Sequence, residues 1–174
     1  MAYMHGKEVI HGDLRCANIL VSPEKRAWLC DFGMSKGTGV LTSIGLKSAG
    51  CQFWMSPERL AADDGVPTRT KKDDVHSFGI TIMEVSLLLC IGYVYFTTNL
   101  AVQALDGKVP FDSNIRTTVF YEGRMDGSLQ PDCGERTGYL VDVAKDCWQF
   151  SPDARPDFEE VKERLERGIE ASAS

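Results

Sequence analysis

These 174 residues predict a mainly α domain with one short β-ribbon. Two observations point there. Residues 74–85, 139–150 and 158–169 space their apolar side chains so that one face of a helix turns inward. Two short apolar runs, Ile19-Leu20-Val21 and Trp28-Leu29-Cys30, flank the turn residues Ser22, Pro23 and Glu24, which is the pattern of two paired strands. A chain with 43% hydrophobic and 25% charged residues belongs with globular proteins, and disordered and fibrous classes are set aside. Its length suffices for one well-buried core.

Taken in order, Ala2-Tyr3-Met4-His5 reads as the last turn of a helix closed by Gly6, followed by a short strand at Val9-Ile10. The ribbon comes next, and residues 34–55 turn to Ser, Thr and Gly without a regular period. Asp74 is the expected N-terminal acid of a central helix with Val75, Phe78, Ile82 and Val85 on one face, widened by Ile80 and Met83. His76, on that helix, reads as a packing or surface residue. Residues 114–122 and 139–150 are helical candidates, the second with Val141, Ala144, Cys147 and Trp148 inward. An amphipathic helix over 158–169, with Val161 and Leu165 inward, closes the fold, and 170–174 form a tail.

Composition also bounds the partners. A net charge of -6 argues against a nucleic-acid or anionic-membrane partner held by bulk electrostatics. The compact basic run Arg69-Thr70-Lys71-Lys72 is cancelled at once by Asp73-Asp74 and reads as a solvated loop. Six cysteines without a C-x-x-C pair or companion histidines fit reduced thiols in a cytoplasmic protein. No secretory signal is expected at the first residues. The apolar run from Leu87 to Phe96 falls short of the roughly 20 residues of a membrane-spanning helix.

The chemistry concentrates between His11 and Gly33. His11-Gly12-Asp13-Leu14-Arg15-Cys16-Ala17-Asn18 leads into the first strand and Asp31-Phe32-Gly33 follows the second, so pairing the strands brings Asp13, Asn18 and Asp31 toward one end. Such a trio offers one carboxylate to accept a proton from a hydroxyl, and an amide and a carboxylate as hard oxygen ligands for Mg²⁺. The stretch resembles the catalytic loop and metal-binding motif of the eukaryotic protein kinases, H-R-D-L-x-x-x-N followed by D-F-G.

The resemblance implies the large lobe of the α+β kinase fold over residues 1–169, and transfer of the γ-phosphoryl group of ATP, with Mg²⁺, to a protein hydroxyl. Asp13 would be the catalytic base, Arg15 a phosphate contact, and Asn18 and Asp31 the metal and nucleotide ligands. Ser56-Pro57-Glu58 stands where the family has Ala-Pro-Glu, and Arg155 resembles the arginine that pairs with that glutamate. Many members carry Arg before the catalytic Asp, where this chain has Gly12, so activity is expected not to depend on phosphorylation of Ser35, Thr38, Thr42, Ser43 or Ser48 through that arginine. Cys51 departs from the Thr or Ser of many serine/threonine kinases. Trp54-Met55 resembles tyrosine-kinase-like serine/threonine kinases, whereas Arg15-Cys16-Ala17-Asn18 is similar to tyrosine kinases. Serine/threonine specificity is the expected one. Tyrosine specificity and a non-catalytic binding module are the alternatives.

Two departures stand out. The small lobe, with its glycine-rich loop, lysine and glutamate, is missing from these residues. Gly37-Thr38-Gly39 does not replace the loop, since its third glycine is absent, and the isolated polypeptide is expected to have negligible activity. Residues 86–104 interrupt the pattern as an atypical insertion. They read as a lengthened helix, as an apolar patch for a partner, or, the leading expectation, as a retained intron. Oligomeric state is not legible.

Overall fold

The structure is a computed structural model and describes residues 1–38, 52–61, 69–90, 111 and 115–173. Helix α1 (Ala2–Gly6) leads to strand β1 (Val9–Ile10), a 3-10 turn at Cys16–Asn18, and strands β2 (Ile19–Val21) and β3 (Ala27–Leu29). A second 3-10 turn, Phe32–Met34, precedes β4 (Lys36–Gly37). The helices α2 (Pro57–Ala61), α3 (Lys71–Cys90), α4 (Thr117–Met125) and α5 (Tyr139–Cys147) follow, then a 3-10 turn at Pro152–Ala154 and α6 (Phe158–Ala173). The fold is mainly α, as expected.

The predicted ribbon forms with Ile19 opposite Leu29, Leu20 opposite Trp28 and Val21 opposite Ala27, antiparallel. The expected strand at Val9-Ile10 forms and pairs antiparallel, Val9 with Gly37 and Ile10 with Lys36; its partner strand has no counterpart in the sequence reading. Lys36-Gly37, a two-residue strand with no apolar residue, shows no pattern to read.

The central helix begins earlier than expected, at Lys71, and its start is held by Asp73 rather than Asp74. The Thr70 amide donates to Asp73 Oδ2 at 2.6 Å and the Asp73 amide to the Thr70 carbonyl at 3.2 Å, so the third helical residue reaches back over the N-terminus. Ser56 Oγ donates to the other Asp73 oxygen at 2.5 Å. The basic run is accordingly not a solvated loop: Arg69 is buried, and Lys71 and Lys72 lie in the first helical turn.

Helix α3 is the core's axis. Val75, Ile80 and Met83 are fully buried with Val141, Ala144 and Cys147 of α5. Gly79 makes the close approach possible, because a Cβ there would lie 2.8 Å from both the Ala144 carbonyl oxygen and Cys147 Cβ. Val85, expected inward, is 40% exposed. The helix continues to Cys90, so residues 86–90 extend it; residues 91–104 of the atypical segment lie outside the described residues. Burial pushes the Cys147 thiol up to about 12, which makes it an inert packing group. Helix α4 starts three residues later than expected, and α5 ends at Cys147 rather than at 150. Phe53, Phe111 and Phe120 fill the space beside α4, with Phe53–Phe120 and Phe111–Phe120 centroids 4.9 and 5.3 Å apart. Helix α6 runs past the expected end at Ile169 to Ala173, with Val161 buried and Leu165 partly so.

Two long-range polar links lock the lobe. Arg155, with its side chain fully buried, meets Glu58 with two bonds, Nη1 to Oε1 at 2.6 Å and Nη2 to Oε2 at 2.8 Å, as the sequence anticipated. Burial pushes the Glu58 carboxyl upward, but the hydrogen bonds and charge of Arg155 outweigh this and hold it below its ordinary value. The second link is His76, which is a packing residue. Its Nδ1 sits 3.2 Å from the Trp54 carbonyl oxygen and its Nε2 2.6 Å from Arg124 Nη2. An arginine has only donors, so Nε2 accepts and Nδ1 carries the proton.

Burial, then the charges of Arg124 and Arg155, drives the His76 pKa well below its ordinary value. The unfolded chain therefore binds a proton near pH 6.5 that the folded chain refuses, and stability falls as pH drops below about 6.5. The carboxyls of Asp73, buried, and Glu84, half-buried, shift upward by burial and act in the opposite sense. The expected result is thus a difference: between pH 7 and 5 the wild type loses more stability in urea than His76→Gln does. Parallel losses in the two proteins would contradict it. Among the described residues no helix is long and apolar enough to cross a membrane.

Candidate active site

The loop 11–18 is built on α3. Asp74 Oδ1 accepts from the Gly12 amide and Oδ2 from the His11 amide, both at 2.8 Å, while His5 Nε2 lies 2.9 Å from Oδ2. The acid expected to cap its own helix thus serves the loop instead. His11 Nε2 approaches the Cys30 carbonyl oxygen at 3.1 Å, and Ser35 Oγ donates to the His11 carbonyl at 3.0 Å. These bonds set the loop against the segment around Asp31-Phe32-Gly33.

Asp13 and Asn18 meet directly. Asn18 Nδ2 donates to the Asp13 backbone carbonyl at 2.7 Å and to Asp13 Oδ2 at 2.9 Å, and Arg15 Nε lies 3.7 Å from the same carboxylate oxygen. The arrangement pins Oδ2 of Asp13 and makes no use of Oδ1. It also commits the nitrogen end of the Asn18 amide to Asp13 and leaves its oxygen end out of these bonds.

Asp31 is placed differently. It is exposed, and no side-chain bond joins it to Asp13 or Asn18. Its link is through the main chain: the Cys30 amide donates to the Asn18 carbonyl at 2.9 Å, which sets Asp31 just beyond the ribbon's open end, away from the 22–26 turn. Asp31 has φ 59 and ψ 69, a left-handed conformation that Asp tolerates better than most residues, and its Oδ1 accepts from the Gly33 amide at 3.3 Å. Among the described residues no group of three or more His, Cys, Asp or Glu forms a metal cage. An amide oxygen and an exposed carboxylate nevertheless suit Mg²⁺, a hard cation that keeps most of its coordination for water and phosphate. The residues present fit that ion.

Arg15 rests on Trp54, its guanidinium carbon 5.7 Å from the ring centroid, within the range of a cation–π contact. Glu84, which sequence reasoning missed, ties this corner together. Its Oε2 accepts from the Cys16 amide at 3.0 Å and from Trp54 Nε1 at 3.1 Å. Burial raises the Glu84 carboxyl even though these donors and the charge of Arg15 favour its ionised form. Burial and the neighbouring Glu84 push the Cys16 thiol well up, so Cys16 is a packing group. The available signal was an acid between Met83 and Val85 in an otherwise apolar stretch, since acids are almost never fully buried unless paired.

Of the hydroxyls whose phosphorylation is expected not to govern activity, Thr38 donates to the Glu8 carbonyl at 3.1 Å and Ser35 is committed to His11, as above. Thr42, Ser43, Ser48 and Cys51 lie outside the described residues.

Asp13 and Asn18 on a loop braced by a central helix, with Asp31 just beyond the ribbon, place an amide and two carboxylates in neighbouring segments, and the chain's relatives name the family such a stretch belongs to. A family model described as protein tyrosine and serine/threonine kinase matches residues 1–165; the chain belongs to this family. Members of the family use ATP and Mg²⁺ and act on protein substrates.

Among the most similar relatives is a probable serine/threonine-protein kinase of Dictyostelium discoideum, 30% identical over 162 residues, covering 92% of this chain and 15% of the relative. Protein kinase wis1 of Schizosaccharomyces pombe is 29% identical over 158 residues, 88% of this chain and 23% of its own length. The serine/threonine/tyrosine-protein kinase HT1 of Arabidopsis thaliana is 29% identical over 168 residues, 96% of this chain and 37% of its own. The chain therefore spans between 15% and 37% of the length of these three proteins.

Proposed function

We propose that this chain is the large-lobe part of a protein kinase that transfers the γ-phosphoryl group of MgATP to a serine or threonine hydroxyl of a protein. The observation that carries the reading is Asp13, whose carboxylate is held through one oxygen by Asn18 Nδ2 and Arg15 and keeps the other for a substrate proton. In this reading Asp13 orients the attacking hydroxyl and takes its proton. Arg15, steadied on Trp54, contacts the phosphate, where a guanidinium grips oxygen in a fixed fork. Asn18 and Asp31 hold the metal and, through it, the nucleotide. When bound, the metal neutralises charge on the phosphate oxygens.

Tyrosine specificity is the second reading, favoured by Arg15-Cys16-Ala17-Asn18 and by the printed name of the Arabidopsis relative. The kinase unit is taken as residues 1–169, with 86–104 as its atypical segment. A cytoplasmic setting belongs to the same proposal, supported by Cys16, Cys30, Cys133 and Cys147 being free thiols.

The test uses the full-length natural protein, γ-labelled ATP and a generic protein acceptor, followed by identification of the labelled amino acid. Mg²⁺-dependent label on serine or threonine is expected, and label on tyrosine alone would select the second reading. Asp31→Ala should lower transfer by roughly 100-fold or more, since a bound metal supplies several kcal/mol of charge stabilisation. Transfer that survives this substitution with its Mg²⁺ dependence intact would remove Asp31 from the site.

A further inference from the structure

Gly12 stands immediately before Asp13 with φ +81, and a Cβ built on it would lie 2.8 Å from Arg69 Nη1, 3.3 Å from Arg69 Cδ and 2.9 Å from the Met34 carbonyl oxygen. The backbone conformation suits glycine, and the volume beside it is filled by a guanidinium from a residue just ahead of α3. Arg69 is 5% exposed. Its Nη1 donates to the Met34 carbonyl, and its Nη2 lies 3.9 Å from Met34 Sδ. Arg59 of α2 adds a longer contact, Nη1 to the Gly12 carbonyl oxygen at 3.5 Å.

We propose that Arg69 is a positioning residue for phosphoryl transfer: it holds the catalytic loop against the turn that carries Asp31, working from the space a side chain at position 12 would need. The proposal rests on the functional reading above. Asp13 follows Gly12, and Met34 follows Asp31-Phe32-Gly33 directly. Asp13 and Asp31 share no side-chain bond, so their separation is set by whatever fixes residues 11–12 relative to 30–35. Arg69 touches both stretches, together with the His11–Cys30 and Ser35–His11 bonds.

Packing alone does not explain a guanidinium here. Its bonds run to a main-chain carbonyl and a sulfur rather than to a carboxylate, and burying a cation without a close counter-charge costs stability. Burial lowers the Arg69 pKa, the nearby charge of Arg59 lowers it further, and the charges of Asp73, Asp13 and Asp74 act in the opposite sense. An apolar side chain would fill the same volume at lower cost. What an apolar residue would lose is the donor that reaches Met34 while standing against Gly12.

The experiment compares full-length wild type, Arg69→Leu and Arg69→Lys by steady-state kinetics with MgATP and casein, and by amide hydrogen exchange. Arg69→Leu should lower kcat about 10- to 100-fold, the size of effect a misplacement of about 1 Å produces, with KM for ATP within about twofold. Exchange of amides 11–13 and 33–36 should rise about tenfold while the rest of the domain keeps its protection. Arg69→Lys, which retains a donor for Met34, should recover most of the rate.

Unchanged exchange at those amides in Arg69→Leu would overturn the proposal. So would a rise spread over the whole domain with a lowered Tm, which marks a purely structural residue. If the unsubstituted protein transfers no phosphate, the functional reading fails and takes the role in transfer with it, and the exchange data alone then decide whether Arg69 ties the two segments.

Discussion

Asp13→Asn is expected to reduce phosphoryl transfer by the full-length protein roughly 10²- to 10⁴-fold, the range that a general base supplies. The substitution is informative because it disturbs little else. Asn18 Nδ2 donates to the Asp13 backbone carbonyl as well as to Oδ2, and an asparagine oxygen at position 13 still accepts the second bond. The loop therefore keeps its shape, and only the capacity to accept a proton is lost. KM for ATP should change by less than about threefold, since nucleotide binding is assigned to Asn18 and Asp31. A kcat within about threefold of wild type would remove the base assignment.

Arg155→Leu is expected to cost about 3–5 kcal/mol of folding stability, as breaking a buried ion pair does, against the 5–15 kcal/mol of a typical domain. The guanidinium serves more than Glu58. Nε donates to the Gln149 carbonyl at 2.7 Å, Nη2 to Phe150 at 3.0 Å and Nη1 to Lys72 at 3.2 Å. Removing it leaves these acceptors and a half-buried carboxylate without their partner at once. Glu58→Gln is expected to cost less, because the glutamine oxygen still accepts one bond and the three carbonyls stay satisfied. Urea unfolding of the two variants measures the ordering, and a larger loss in Glu58→Gln would show that the counter-charge, rather than the carbonyl contacts, dominates at Arg155.

What the sequence made legible is what local pattern or an ordered motif encodes. The β2–β3 ribbon follows from two apolar runs around a Ser-Pro-Glu turn. The Glu58–Arg155 pair, far apart in the chain, was readable because both residues sit in recognisable segments. The meeting of Asp13 with Asn18 was readable for the same reason.

The misses share a physical cause: each depends on a partner that the local sequence does not name. Arg69 reads as solvated among basic neighbours, and only a glycine at position 12 makes room to bury it. The start of α3 was displaced because Asp73, not Asp74, reaches back to Thr70. Val85 kept the helical spacing but falls where the core no longer covers α3, and Glu84 next to it turned inward to meet Cys16 and Trp54. Asp31 joined its companions only through backbone, which no residue pattern reports.

The double acceptance by Asp74 has a consequence for how this corner fails. One carboxylate on a buried helix grips two successive amides through its two oxygens, and Glu84 one helical stretch further on grips a third, that of Cys16. A slide of the loop along α3 strains all three contacts. The loop's geometry is thereby tied to the stability of α3 instead of having the looseness ordinary to a surface turn.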